Sequence, residues 1–482
     1  MTRLSQSAVI ALVVFCAILV IPAQVKAQGE PGIAGDWMGN LQVPTGILRM
    51  VVHITAADDG TLSATLDSPD QGATGIPLGD VSFVNGHLHF SLAAAGGVFE
   101  GDLRTPGDSI DGTWSQAGMM LPLVLGRTDA APTLNRPQDP KPPYPYDVDE
   151  VTYPNMKDSV TLAGTLTIPR GNGPYPAVLL ITGSGAQNRD EEVFGHRPFL
   201  VLSDYLTRQG IAVLRVDDRG VGESTGDFKS VTSEDFARDA MAGVAYLKTR
   251  ADIDPRKIGL LGHSEGGIIA PMVAAQSKDV SFIVLMAGTG IPGDEILRLQ
   301  DSLISKADGV SDSLINSQLS QQRKLFTIIE SDTGAAARTK LRALMEEAIA
   351  NEPEMSQMDS TAKEQVIATQ IGQLMSPWFR YFLTYDPATV LKKVTCPVLA
   401  INGEKDLQVP ATQNLLAIEG ALKSGGNKRY TVLKLPGLNH LFQSARTGSP
   451  EEYAIIEETM SPLALKTVGD WILKQVGDGK TQ

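Results

Sequence analysis

The hexapeptide Gly262-His263-Ser264-Glu265-Gly266-Gly267 constrains this chain more than any other stretch. A short apolar run, 258–261, leads into it, and a helical pattern, 268–276, leaves it. In a G-x-S-x-G pattern placed this way the serine sits on a strained strand-to-helix turn. Only glycine flanks let the neighbouring strand and helix approach that closely. The turn lifts the Ser264 hydroxyl above the sheet, and the positive end of the following helix faces it.

The surrounding sequence supplies the strands and helices that such a turn needs. Residues 177–181, 211–216, 258–261, 282–286 and 398–401 are continuous apolar runs, as expected of strands buried on both faces of a parallel sheet. Helical patterns at 199–209, 234–250, 268–276, 411–423 and 462–474 separate them, and the alternation predicts a doubly wound α/β sheet. One interval breaks the alternation. Residues 292–376 hold helical patterns, such as 313–330 and 335–350, in a connection far longer than usual, so a helical cap over the sheet is expected there.

The first part of the chain follows another rule. In Leu48, Met50, Val52 and Ile54, and again in Leu88, Phe90 and Leu92, apolar side chains recur at every second position. Asn85-Gly86 between two such runs calls for a tight hairpin, which requires positive φ angles. About eight short strands fit between residues 28 and 129, and they predict a small antiparallel barrel or sandwich. Six prolines between Pro132 and Pro145 then mark 130–147 as an extended linker, and the domain with the α/β sheet is expected over 148–482.

Residues 1–27 read as a signal peptide. Arg3 precedes an unbroken apolar run of 14 residues, 8–21, which is short for a membrane span. Val25-Lys26-Ala27 has the small-residue pattern of a cleavage site. The reading implies a secreted or periplasmic protein with no stable membrane span after processing. Export would leave one cysteine, Cys396, so no internal disulfide is expected. A formal net charge of −14 argues against nucleic acid or an anionic membrane as the main partner.

A serine hydroxyl is a weak nucleophile and needs a base. Of the six histidines, His53, His87 and His89 lie in the β module and His196 in a loop before a helix. His263 neighbours the serine, so its ring is expected to point away. His440 remains, in a loop after the strand 430–435, where a base must hang to reach the turn. Asp406, after the strand 398–402, is the expected acid that orients the imidazole, with Glu404 as the alternative. The two oxyanion donors are read as the backbone amides of Glu265 and, from the glycine-rich stretch 182–185, of Ser184. No cofactor is called for. His87 and His89 share a strand face but lack a third metal ligand, so no metal is expected.

On these residues the segment from about 148 to the end resembles the α/β-hydrolase superfamily. The stretch 217–224 looks like the superfamily's loop after its fourth strand, and 182–191 is similar to a branch of bacterial acyl esterases. The N-terminal part is similar to the lipocalin-like β modules that precede such esterases in secreted bacterial proteins. Thr182 stands where many relatives have histidine before the glycine, which leaves the second oxyanion donor open. The resemblance implies a serine-dependent esterase acting on a small-molecule ester, with oligomeric state open. The alternatives are a serine exopeptidase or amidase of the same fold, and a binding protein whose β module recognises a ligand.

Overall fold

The computed structural model describes residues 32–43, 46–57, 59–68, 73–93, 96–104, 107–116, 119–128, 135–351 and 360–477. The signal peptide expected over 1–27 lies outside the described residues, as do residues 28–31, 129–134 and 352–359. The chain forms two compact units.

The first unit is a closed antiparallel barrel of eight strands in sequential order. They are β1 (Gly35–Val43), β2 (Gly46–Ala56), β3 (Leu62–Ser68), β4 (Ala73–Val84), β5 (His87–Leu92), β6 (Gly97–Leu103), β7 (Ser109–Gln116) and β8 (Met119–Thr128). Alternation alone allowed a barrel or a sandwich. Pairing of β1 with β8, Trp37 opposite Arg127, closes the ring and leaves no free edge. The β4–β5 turn has the expected Asn85-Gly86 geometry, with φ of +54° and +81°. The alternating inner positions form one apolar cluster that includes Trp37, Phe90, Phe99, Trp114 and Leu123. Both buried indoles keep a partner for their N–H: Trp37 donates to the Ile33 carbonyl at 2.8 Å and Trp114 to Gln116 Oε1 at 2.9 Å.

The second unit is an open eight-stranded sheet in the order β16-β15-β14-β13-β11-β12-β10-β9. Its strands are β9 (Tyr146–Asn155), β10 (Val160–Pro169), β11 (Tyr175–Ile181), β12 (Ala212–Val216), β13 (Ile253–His263), β14 (Phe282–Met286), β15 (Val398–Gly403) and β16 (Tyr430–Leu435). β11 to β16 run parallel, while β10 is antiparallel to both of its neighbours. Successive residues of the central strands enter opposite cores. Leu179, Ile181, Leu260 and Leu285 join one cluster, and Val178, Leu180, Leu261 and Val284 the other. Burial on both faces is why these strands read as unbroken apolar runs. Each fully buried aliphatic side chain favours the folded sheet by roughly 1.5–3 kcal/mol.

Helices α1 (Pro198–Arg208), α2 (Ser233–Thr249) and α3 (Gly266–Gln276) cover the first half of this sheet. α2 starts at a capping box in which Thr232 and Asp235 exchange hydrogen bonds. Four long helices follow: α4 (Gly293–Ala307), α5 (Asp312–Ser331), α6 (Gly334–Asn351) and α7 (Ser360–Leu374). The helical run then continues past residue 376 through α8 (Pro377–Thr384), because Ser376 caps a new helix and Pro377 takes its first turn. Phe326, Leu341, Ile371 and Phe379 belong to a separate apolar cluster inside this cap. α9 (Ala388–Leu391), α10 (Ala411–Ser424) and α11 (Pro462–Val476) complete the unit.

The proline-rich stretch is less free than its composition implied. From Pro137 to Glu192, and again from Arg197, the chain belongs to the second unit. Gln138 donates to the Met460 carbonyl at 2.7 Å and accepts from the Thr459 and Met460 amides at 2.6 and 3.0 Å. Tyr146 and Asp147 already lie in β9, an edge strand that its acidic residues and Pro154 obscured in the sequence.

Candidate active site

Ser264 has φ of +52°, a left-handed conformation that a side chain rarely adopts. It sits between the end of β13 and the start of α3, and its amide donates to the Met286 carbonyl of β14 at 2.9 Å. The flanking glycines are required by close approach. A Cβ at Gly262 would lie 1.9 Å from the Gly266 carbonyl oxygen, and one at Gly266 would lie 2.1 Å from that of Ile181. Residues with side chains there would push the strand, the turn and the helix apart, so the strain at Ser264 is held by packing.

His440 hangs in the loop after β16, and Asp406 in the loop after β15. His440 Nδ1 donates to Asp406 Oδ2 at 2.8 Å, and both side chains are buried. The other oxygen of Asp406 accepts from the Gln408 and Val409 amides at 2.9 and 2.8 Å. Three donors therefore fix the carboxylate, and the His440 ring is left with Nε2 as its free basic nitrogen. Glu404, the alternative acid, accepts instead from the Gly437 amide at 3.1 Å.

Gly183 places the glycine-rich loop beside Ser264, because a Cβ there would lie 3.2 Å from Ser264 Cβ. The Gly183 amide is already committed to Glu191 Oε1 at 2.6 Å. Among the described residues, nothing accepts from the backbone amides of Ser184 or Glu265, so both remain available to a ligand. The loop is anchored from beneath. Thr182 and the Gln187 amide bond the two oxygens of Asp218 at 2.7 and 3.0 Å. Arg189 grips Asp217 through Nε at 3.2 Å and Nη2 at 2.7 Å, and Arg215 pairs with Asp190. Burial, with Glu265 and Glu191 nearby, pushes the Asp218 carboxyl well above the usual carboxylate range.

Two features were not legible in the sequence. The first is the surroundings of the His263 ring. The ring is buried, with Nδ1 3.0 Å from Glu191 Oε1 and Nε2 3.0 Å from the backbone carbonyl of His440. The rings of His263 and His440 lie 4.9 Å apart between centroids. Glu191 stood in the run Arg189-Asp190-Glu191-Glu192, which reads as a solvated loop, and nothing local marked it as buried. The second feature is Glu265, whose Oε1 accepts from Ser233 Oγ of α2 at 2.6 Å and from Trp378 Nε1 of α8 at 2.8 Å. Burial raises its pKa despite these two donors.

The remaining histidines of the barrel are paired with carboxylates. His53 lies between Asp36 and Asp67, His87 between Glu100 and Asp102, and His89 also bonds Glu100. Among the described residues no group of three or more His, Cys, Asp or Glu could hold a metal ion. His196 is buried ahead of α1. Cys396 is a free thiol whose pKa burial pushes up to about 11. No helix of the described residues is long and apolar enough to cross a membrane.

Residues 158–428 match the family described as X-Pro dipeptidyl-peptidase (S15 family). Among curated proteins the chain is similar to Esterase EstD of Thermotoga maritima, 27% identical over 293 residues. That match covers 61% of this chain and 61% of the esterase, so the chain spans less than two thirds of this relative's length. It is also similar to an uncharacterized 31.7 kDa protein of Escherichia coli, 25% identical over 280 residues, which covers 57% of this chain and 87% of that protein. Among solved structures, the α/β hydrolase GrgF from a Penicillium species is 16% identical with a TM-score of 0.44, covering 68% of this chain and 99% of that one. The Pyrococcus furiosus esterase Pf2001 is 17% identical with a TM-score of 0.43, covering 72% and 99%.

Proposed function

Because the chain belongs to the X-Pro dipeptidyl-peptidase (S15) family and is a serine hydrolase of the α/β-hydrolase fold, we propose that it cleaves carboxylic esters of small molecules through an acyl-enzyme on Ser264. The observation that carries this reading is the strained turn at Ser264 together with the buried His440–Asp406 pair at the same end of the sheet. In the first half of the reaction Ser264 Oγ attacks the ester carbonyl while His440 Nε2 takes its proton. Asp406 holds the imidazole with its proton on Nδ1 and stabilises the imidazolium that forms. The amides of Glu265 and Ser184 receive the negative charge of the tetrahedral intermediate, and the positive end of α3 adds to their field. His440 then protonates the departing alcohol. Water, activated by the same imidazole, releases the acid in the second half.

A second reading, cleavage of an amide after an X-Pro dipeptide, draws on the family's description. A peptidase that grips a free amino terminus needs an available carboxylate near the nucleophile. Glu265 is badly suited to that role, since it is buried, bonded to Ser233 and Trp378, and shifted toward its neutral form. Binding alone, with the β module as the recognition element, is disfavoured by a barrel interior packed with apolar side chains, Trp37, Phe90, Phe99 and Trp114 among them. The name of the Thermotoga relative also favours the ester reading.

The deciding experiment compares kcat/KM on p-nitrophenyl esters of increasing acyl length with kcat/KM on X-Pro p-nitroanilides. Faster turnover of the anilides would replace the esterase reading with the peptidase one. Export is part of the same proposal. Amino-terminal sequencing of protein recovered from the periplasm or medium should begin near Gln28, and a chain retained in the cytoplasm would contradict it.

A further inference from the structure

The proposed reaction uses the side chains of Ser264, His440 and Asp406. It leaves unexplained two buried ionisable groups directly beneath them. Glu191 Oε1 accepts from the Gly183 amide at 2.6 Å and faces His263 Nδ1 at 3.0 Å, while His263 Nε2 faces the His440 carbonyl at 3.0 Å. Each link joins a different part of the site: the glycine-rich loop, the nucleophile turn and the backbone of the base.

The hydrogens along this line follow from chemistry. A backbone carbonyl only accepts, so His263 Nε2 carries a hydrogen. Glu191 Oε1 accepts from the Gly183 amide and keeps a second lone pair for one more donor. A hydrogen on His263 Nδ1 is the donor that this oxygen can accept, which makes the ring an imidazolium facing Glu191. Both side chains are buried, so neither charge has water as an alternative partner. Glu191 is also held at φ of +52°, a conformation the fold maintains only where its surroundings over-determine it.

We propose that Glu191 and His263 are positioning residues: the His263 imidazolium, paired with Glu191, ties the oxyanion loop at Gly183 to the backbone of His440 and holds both in register around Ser264. This rests on the reading of Ser264 and His440 given above. The groups facing the pair are consistent with a retained proton. Asp406 and the His440 ring lie on the imidazole side, and Asp218 on the Glu191 side. Burial alone would lower the pKa of His263, but Glu191 outweighs it and the net direction is upward. Loss of the proton would leave a lone pair of Nδ1 against the carboxylate and open the link. Activity should therefore decline at alkaline pH through this pair.

The test uses the full chain and the variants Glu191→Gln and His263→Gln, each checked for fold by circular dichroism. The kcat and KM for a soluble p-nitrophenyl ester are measured from about pH 5 to about pH 10, and 15N NMR of histidine-labelled wild type reads the ring protonation. His263 is expected to carry both protons near pH 8, where free histidine has lost one. His263→Gln should lower kcat by about 10- to 100-fold with KM nearly unchanged, and its alkaline limb should vanish. Glu191→Gln should move that limb to lower pH, since the amide still accepts from Gly183 but no longer holds a charge. Folded variants with wild-type kcat and pH profile would overturn the proposal, as would a singly protonated His263. If neither variant folds, the NMR result decides alone. Labelling of wild type with a fluorophosphonate separates this from the underlying reading: no label on Ser264 overturns that reading, whereas label with unaffected variants overturns only the role of the pair.

Discussion

One oxygen of Glu265 accepts a hydrogen bond from Trp378 Nε1 at 2.8 Å, so the residue after the candidate nucleophile is bonded directly to the helical cap. The same oxygen holds Ser233 at the start of α2. The bond ties α8 to the residue whose amide is proposed to stabilise the oxyanion. Trp378 also stacks on Phe382 at 5.4 Å between centroids, which orients its indole.

Trp378→Phe should keep the stack and lose the hydrogen bond. We expect a stability loss of about 1–3 kcal/mol from the under-satisfied buried carboxyl, read as a lower Tm. We also expect an altered ranking of p-nitrophenyl esters by acyl length, graded because one methylene is worth only about 1–3 kcal/mol in an apolar pocket. An unchanged ranking would mean that α8 does not border the acyl pocket.

Replacing Ser264 or His440 by Ala should each lower kcat on the order of 10⁴- to 10⁶-fold, and the double replacement should be little worse than either alone. Additive losses would indicate that the two side chains act in separate steps.

Asp406→Asn should leave the fold intact and cost roughly 10⁴ in kcat, because the amide presents a donor where the imidazole needs an acceptor. Glu404→Gln should be mild, as Glu404 bonds the Gly437 amide instead of His440. Steady-state kinetics on the two variants settle the assignment, and reversed results would move the role to Glu404.

The barrel should show a pH dependence carried by His53. Burial disfavours its charged form, but Asp36 and Asp67 outweigh this and raise its pKa above the ordinary histidine value. A raised pKa in the folded state gives stability that is fully present below the unfolded value and lost as pH rises through the folded one. The Tm difference between wild type and His53→Gln should therefore be largest near pH 5 to 6 (roughly, for a histidine) and shrink toward alkaline pH. A difference that grows with pH would refute the pairing.

A chain beginning at Pro137 should fold and hydrolyse small soluble esters without the barrel. One beginning at Asp147 should melt at a lower temperature, because it lacks the three hydrogen bonds of Gln138 and the ion pair of Asp139 with Arg197. Circular dichroism melts and ester turnover compare the two. Equal Tm values would show that the stretch 137–146 is a plain tether.

What the sequence determined by itself was whatever depends on neighbours along the chain. Period-two alternation, the Asn85-Gly86 turn, the apolar runs and the glycine-framed serine are local patterns, and they specified an antiparallel β module, an α/β sheet and the candidate residues Ser264, Asp406 and His440. What needed the tertiary structure was whatever depends on strand order and loop packing. Barrel closure came from β1 meeting β8, 90 or so residues later, and alternation is the same for a barrel or a sandwich. The edge strand β9 was hidden because an edge tolerates the acids and proline that a central strand excludes. Glu191 and Trp378 reach the site from 72 residues before His263 and 113 residues after Glu265. No spacing rule connects such positions. Only the fold, by burying each beside a charged or polar partner, made a loop carboxylate and a cap tryptophan part of the site.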